Sequence, residues 1–404
     1  MGLVALLWVA LALNYIDRQM VFSIFPALKR ELAFTDVQLG LIGSVFAWVY
    51  SLGMPVAGRL ADRFRRDRMI VLSLVMWSLA TLGCGMAGSV TAFLIWRAVM
   101  GITESLYFPA AVGTIAAAHS GATRSQALGI HQSAQLIGII AGGWYGGWMA
   151  DHWGWRWGFV LASCAGVGYA LVLLRGLPAN RAEAVADTGN PWRIAFALFR
   201  GPCYSMLCLA FFAFCSMLWV FYAWFPNHLV ERFGLSMSES GFRATVFVQL
   251  SCGAGVLIGG RLADTLSRRL AAARYYIAGC GILFSAPFGY LTFAAETLEV
   301  TTVFSICYGL ASGLMVSNTF AAAYDAIGQR NFGLGSGVLN MIGGFAASIM
   351  IFLAGVLKSS IGFSGLLLYV AIGCVVMASG LMWTARRNLT FGDAGGAVAV
   401  PLSR

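Results

Sequence analysis

Gly58-Arg59-Leu60-Ala61-Asp62-Arg63 and Gly260-Arg261-Leu262-Ala263-Asp264-Thr265 share five consecutive residues, G-R-L-A-D, at an offset of 202 in a chain of 404 residues. Half the chain separates the two copies. Each closes an apolar run, 37–60 or 240–263, and each leads into basic residues: Arg65, Arg66 and Arg68 after the first, Arg268 and Arg269 after the second. The same word at the same place in two successive halves marks a duplicated unit, two parallel repeats in one polypeptide.

The runs around these words are too apolar for water. Hydrophobic residues make up 59% of the chain and charged residues 10%, and the mean hydropathy is +0.79. A soluble domain carries roughly 25% charged residues, so most of this surface must face lipid. A bilayer core of about 30 Å needs about 20 apolar residues per helix. Twelve runs qualify: 3–24, 37–60, 69–87, 91–117, 126–149, 156–177, 203–228, 240–263, 275–294, 299–322, 334–356 and 363–384. The period-2 alternation of a membrane barrel is absent, which leaves helices as the spanning element. The expected fold is an all-α membrane protein of twelve transmembrane helices in two pseudo-symmetric six-helix bundles. Its predicted domains are an N-terminal bundle 1–177, a linker 178–202, a C-terminal bundle 203–385 and a tail 386–404. The linker and the tail are predicted to be cytoplasmic. The apolar stretch from Met1 is read as the first span, not as a removable signal.

The basic residues orient these spans. With the N-terminus in the cytoplasm, eighteen Lys and Arg fall in inside segments and six in outside segments. Positive charge concentrates on the cytoplasmic side of membrane proteins, so both termini are predicted to be cytoplasmic, in a plasma or bacterial inner membrane. The net charge of +10 is then explained by loops, and nucleic-acid binding is not expected. Nine cysteines, none in a C-x-x-C pair, read as small buried hydrophobes. Gly142-Gly143 and Gly146-Gly147 are spaced for close helix contact.

An ionisable residue at mid-bilayer costs about 2.5–3.5 kcal/mol, so it is a functional candidate by default. Two groups stand out. Asn14, Asp17 and Arg18 lie at i, i+3 and i+4 in span one, on one helix face. Arg97 and Glu104 in span four are two turns apart, with Gly101 between them. Two acids and two bases in the N-terminal bundle make each other's burial tolerable, either as a static network or as a working site. In a working site, an anion that takes over a guanidinium releases its carboxyl partner for protonation, which couples anion movement to proton movement.

These residues also carry a family resemblance. The G-R-L-A-D words resemble the loop signature of the major facilitator superfamily, in which an Asp and neighbouring Arg residues latch the two halves. The resemblance implies gating roles for Asp62, Arg63, Arg66, Asp264 and Arg268; plain loop charge is the other account of the arginines. The family usually has Gly where Arg65 stands. N-Y-I-D-R (14–18), R-x-x-x-G-x-x-E-x-x-x-F-P-A-A (97–111), S-A-Q (133–135) and W-F-P-x-x-L (224–229) resemble the anion:cation symporter branch, which holds sugar-acid and vesicular organic-anion transporters. That branch implies proton handling by Asp17 and Glu104 and anion contacts by Arg18 and Arg97. It also implies substrate contacts by Tyr15, Tyr50, Gln135 and Asn340. N-Y-I-D-R-Q (14–19), T-D-V-Q-L-G-L-I (35–42) and the loop 61–67 resemble spinster-type transporters of lysolipids as well.

Other residues stay open between two roles. His131, one turn from Gln135, either lines a central cavity or bonds a neighbouring helix. Tyr222, in an aromatic run with Trp219, Phe221, Trp224 and Phe225, either stacks on substrate or belongs to an interfacial belt. Trp153–Trp157 is expected to be an interfacial anchor. The resulting expectation is a monomeric transporter that needs no cofactor and uses protons as the coupling ion. It would carry a small organic anion, a sugar acid or other carboxylate, by proton-coupled symport and alternating access. A spinster-like lysolipid transporter and a non-transporting sensor are the alternatives. An enzyme is not expected, because no nucleophile–base pair, metal cluster or phosphate loop appears.

Overall fold

The computed structural model describes residues 1–119, 121–179, 196–327 and 332–389, which form helices and no strand. The parts of the predicted linker and tail at 180–195 and 390–404 lie outside the described residues. The helices are α1 (Gly2–Ser23), α2 (Phe25–Leu32), α3 (Asp36–Arg63), α4 (Arg66–Met86), α5 (Val90–Ser105), α6 (Tyr107–Ala118) and α7 (Gly121–His152). They continue with α8 (Trp155–Gly176), α9 (Pro202–Phe233), α10 (Met237–Ser267), α11 (Ala273–Ala294), α12 (Leu298–Ala326) and α13 (Phe332–Leu389).

Ten helical stretches among the described residues are long and apolar enough to cross a membrane. The last of them contains Gly362, whose φ of 68° interrupts the helix between predicted spans eleven and twelve. Only glycine takes that conformation without steric cost. Together with α7, which is 32 residues long, the stretches account for all twelve predicted spans. Several helices outrun their spans: α9 and α10 have 32 and 31 residues. Hydropathy locates the lipid, whereas hydrogen bonding and caps locate the helix ends. Thr35 and Gln38 form a reciprocal capping box that starts α3, and Ser89 and Thr297 cap α5 and α12.

Span four is divided into α5 and α6 at Leu106. Pro109 has no N–H to offer the Ser105 carbonyl, so the regular ladder lapses one turn before it. The Ser105 hydroxyl turns back to donate to the Ile102 carbonyl at 2.7 Å.

The contacts define two compact units. The first comprises Met1–Ala186, Val220–Val246 and Ala347–Lys358. Within it, α7 presents Gly138, Gly142 and Gly146 to Ala12, Ile16 and Met20 of α1. Both series step by four residues, so two helical ridges meet with no side chain between them on the α7 side. The other glycine pair of α7, Gly143 and Gly147, meets Gly241 and Met237 of α10. Gly40 of α3 meets the backbone of Ile351 and Phe352, and Gly355 meets Asp36. Connectivity puts residues 24–36, 153–154, 234–236 and 357–358 at the end of this unit remote from Met1, the distal end. There α7, α10, α3 and α13 are in backbone contact.

The second unit comprises Asp187–Trp219, Phe247–Ala346 and Ser359–Arg404. In it, α11 packs along α12, where Tyr275 donates to the Ala322 carbonyl at 2.6 Å. Gly255 of α10 meets Gly313 of α12. Asn318 donates to the Gly259 and Leu314 carbonyls at 3.3 and 2.9 Å, which makes it a packing residue.

Candidate functional site

The predicted membrane charges come together in the first unit, on α1 and α5, against neighbours from α3 and α4. Arg97 and Glu104 are 0% and 1% exposed, and Asp17 and Arg18 are 4% and 8% exposed. Gly101 explains how α5 reaches its neighbour: a Cβ there would strike the Phe46 carbonyl and the Tyr50 amide of α3. That close approach carries Arg97 and Glu104 into the bundle.

Arg18 Nε donates to Glu104 Oε2 at 2.6 Å. Its guanidinium carbon lies 4.2 Å from the ring centre of Tyr50, 5.0 Å from Phe46 and 5.1 Å from Tyr15. Arg18 is thus caged by three aromatic faces, each contributing a cation–π attraction. Arg97 shares one of them, with its guanidinium 4.5 Å from the Phe46 ring. Arg97 Nε donates to the Ile42 carbonyl at 3.3 Å, and its Nη1 reaches the Met100 sulfur at 3.1 Å. Among the described residues, three polar atoms of this cluster are buried without a hydrogen-bond partner: Arg97 Nη2, Glu104 Oε1 and Asn14 Nδ2.

Asp17 faces Thr81 of α4, with 3.4 Å between Oδ2 and Oγ1. The Thr81 hydroxyl also lies 3.0 Å from the Trp77 carbonyl. A hydroxyl has one proton. The hydroxyl can donate to Asp17 Oδ2 or to the nearer Trp77 carbonyl, and it ties Asp17 of α1 to α4.

The remaining predicted residues lie elsewhere. His131 is fully buried, with Nε2 3.2 Å from the Tyr107 hydroxyl. That hydroxyl is 2.7 Å from the Leu7 carbonyl, to which it donates, so His131 Nε2–H donates to Tyr107. His131 joins α7 to α6 and α1 and is a packing residue in this arrangement. Gln135 is half-buried. Tyr222 is buried, and its backbone carbonyl accepts from Gln19 Nε2 at 3.0 Å. Asn340 donates to the Ser336 carbonyl at 3.1 Å within its own helix, in the second unit.

The residues predicted to gate form local contacts within each unit. Arg66 lies 3.6 Å from Asp62 and donates to the Ala61 and Gly113 carbonyls at 3.2 Å each. Gly113 admits the guanidinium, since a Cβ there would meet it. Arg63 is exposed. In the second unit Asp264 is met by Arg274 at 4.0 Å, and Arg274 binds Asp325 at 2.7 Å; Arg268 is exposed. Arg274 and Asp325 carried no signal beyond loop charge in the sequence.

A second charged cluster escaped the sequence altogether. At the distal end of the first unit, Lys29 lies 2.9 Å from Asp36 and 3.4 Å from Glu231, and Lys358 lies 3.0 Å and 2.7 Å from the same two carboxylates. Burial works against the Lys29 ammonium, but its bonds to Asp36 and Glu231 outweigh that and hold its pKa above the usual lysine value. Nearby, Glu31 accepts from Trp155 at 2.7 Å and from Arg156 at 3.2 Å. Trp155 is therefore buried, while Trp153 and Trp157 are 62% and 56% exposed. Asp151 accepts from the backbone N–H groups of Met237 and Ser238 at 3.3 and 2.7 Å, capping α10 from α7.

Comparison with known proteins gives this geometry a family. A solved bacterial homologue of the human lysosomal transporter Spinster, in an inward-facing, unoccupied conformation, superposes with a TM-score of 0.84 at 20% identity, covering 98% of both chains. The D-galactonate transporter of Escherichia coli O6:H1 is 24% identical over 92% of each chain. A probable galactarate/D-glucarate transporter of Bacillus subtilis is 25% identical over 92% of this chain and 89% of its own. A probable sulfoacetate transporter of Cupriavidus necator is 28% identical over 73% of each. These relatives are named as transporters, not enzymes. With the family model matching residues 7–350, and again 207–401, this integral membrane chain belongs to the Major Facilitator Superfamily.

Proposed function

We propose that this transporter is a proton-coupled symporter of a small organic anion, a sugar acid or related carboxylate, and that it works by alternating access. The observation that carries this reading is the buried cluster of two guanidinium and two carboxyl groups, in which Arg97 Nη2, Asn14 Nδ2 and Glu104 Oε1 are unfilled among the described residues. The names of the relatives, which specify galactonate, galactarate, glucarate and sulfoacetate, support an anionic substrate.

Charge counting supplies the mechanism. With both acids ionised, Arg18, Arg97, Asp17 and Glu104 sum to zero. A monoanion entering this dry site would leave one uncompensated negative charge, which low dielectric penalises by several kcal/mol. One proton removes the penalty. Arg97, with its unfilled Nη2, is the first contact for a carboxylate. The anion then competes with Glu104 for Arg18, and the displaced Glu104 carboxylate or Asp17 takes the proton. Tyr15 and Tyr50, which cage Arg18, would present hydroxyl groups to a polyol chain. Gln135, Tyr222 and Asn340 are proposed as further contacts, and His131 as a support of α6 behind the site. Asp62, Arg63, Arg66, Asp264 and Arg268 are proposed as gating residues, with Asp62 met by Arg66 in the first unit and Asp264 by Arg274 in the second. We place the protein in the plasma membrane as a monomer, both termini cytoplasmic, with bundles 1–177 and 203–385 joined by the linker 178–202.

The test is uptake into proteoliposomes under an imposed pH gradient, with D-galactonate, D-glucarate and a lysophospholipid side by side. The reading requires an inward proton gradient to concentrate a sugar acid. It also requires a dianion to carry about one proton more than a monoanion. Movement of lysolipid alone, or uptake indifferent to the gradient, would reject it in favour of the spinster-like reading or a passive carrier.

A further inference from the structure

Gln19 follows Arg18 in the chain but points elsewhere. It is 3% exposed, and its amide Nε2 donates to the Tyr222 carbonyl of α9 at 3.0 Å. Four residues on, α9 contains Pro226. In an α-helix the carbonyl of residue 222 would accept from the N–H of residue 226, and proline has none. Gln19 therefore supplies, from α1, the donor that Pro226 withholds. The bond lies in a region built for separable contact: Gly142 of α7 abuts the Gln19 Cβ, and Gly241 of α10 abuts Ser23, one turn further along α1.

We propose that Gln19 is the positioning residue that holds the distal side closed, by capping the carbonyl of α9 that Pro226 leaves without its helical donor. Two consequences follow from its place in the chain. Arg18 and Gln19 ride on the same turn of α1, so a shift of Arg18 when it exchanges Glu104 for another anion moves Gln19 relative to Tyr222. Releasing the bond takes from the Tyr222 carbonyl the donor that Gln19 supplies, so distal opening and a change of partner at Tyr222 occur together. A buried carbonyl stripped of its donor is costly enough to shift a two-state equilibrium about tenfold. The inference rests on alternating access and is independent of which solute is carried.

The experiment reads the distal state without substrate. Ser23 is 1% exposed and its hydroxyl has no hydrogen-bond partner among the described residues, so Ser23→Cys is a mild reporter. The rate at which a hydrophilic maleimide modifies the introduced thiol is followed by mass spectrometry of the peptide that carries it, in full-length detergent-solubilised protein. Four backgrounds are compared: parent, Gln19→Leu, Pro226→Ala and the double variant. Gln19→Leu should raise the labelling rate of the reporter about tenfold. Pro226→Ala restores the helical N–H, so in that background Gln19→Leu should change the rate less than twofold. Gln19→Glu, which cannot donate when ionised, should behave like Gln19→Leu at high pH. Equal acceleration by Gln19→Leu with and without Pro226, or no acceleration in either, would overturn the proposal. A merely structural Gln19 would loosen both backgrounds alike. If anion symport fails in liposomes while this cycle holds, the distal-closing role of Gln19 stands and the substrate reading, with its link through Arg18, falls.

Discussion

Two clusters in the first unit contain the same charges, two cations and two carboxyl groups, and differ in everything else. In the membrane, Arg18, Arg97, Asp17 and Glu104 are nearly or fully buried, and one ion-pair contact, Arg18 to Glu104 at 2.6 Å, joins them. At the distal end, Lys29, Lys358, Asp36 and Glu231 have side chains 14–39% exposed, and each cation touches both carboxylates. The distal quartet is closed: every charge has its partners, and water screens what is left. The membrane cluster is open in the valence sense, with Arg97 Nη2 and Glu104 Oε1 unfilled. A closed, wet network contributes little free energy and holds a shape. A dry, incomplete one has a strong preference for a further charge, and a change of occupant alters its protonation. The same set of charges makes a clasp in one place and, on the proposed function, a working site in the other.

Removing charge should separate the two. The largest effect is expected for Glu104→Gln, which keeps the shape and removes the proton-accepting group. Accumulation driven by a pH gradient should be lost, while counterflow exchange of a sugar acid across liposomes continues. Loss of both activities together would make Glu104 a substrate or structural group. Next in size is Arg97→Ala. A charge-assisted hydrogen bond contributes about 1.5–3 kcal/mol, so anion affinity should fall about 10- to 100-fold, read as the half-saturation concentration for exchange. Unchanged affinity would assign the anion to Arg18 alone.

The fold and the membrane cluster were legible for a physical reason. Lipid imposes a composition on every span, and the G-R-L-A-D words date from a duplication that copied whole helices. Arg97 and Glu104 announced themselves because charge in an apolar run is costly, and their seven-residue spacing alone puts them on one face. The distal quartet could not announce itself. Lys29, Asp36, Glu231 and Lys358 sit near the ends of apolar runs, where charge is unremarked, and Lys358 finds Asp36 across 322 residues of sequence. Lys29 and Lys358 read as ordinary outside charge until the fold brought them together. The Arg274–Asp325 pair was hidden in the same way, 51 residues apart between two helix ends. His131 drew attention as a polar residue in a span, and the fold pairs its Nε2 with Tyr107.

The smallest effects belong to the clasp. Lys358→Gln leaves Lys29 to balance two carboxylates, and an exposed pair contributes about 0.2–1 kcal/mol. The expected result is a modest fall in thermal stability of the purified protein with transport retained. The difference from the parent should shrink at high salt as the Debye length shortens. The pH sense follows from Lys29. Its pKa is held above the unfolded value by Asp36 and Glu231, so its contribution is complete below the usual lysine pKa and is lost as pH rises through the raised one. The stability gap between parent and Lys29→Gln should therefore be constant through neutral pH and close only in strong alkali. A gap that closed near neutrality would mean that Lys29 is not held by these carboxylates. A loss of gradient-driven uptake in Lys358→Gln as deep as that of Glu104→Gln would erase the distinction between the clasp and the chemistry.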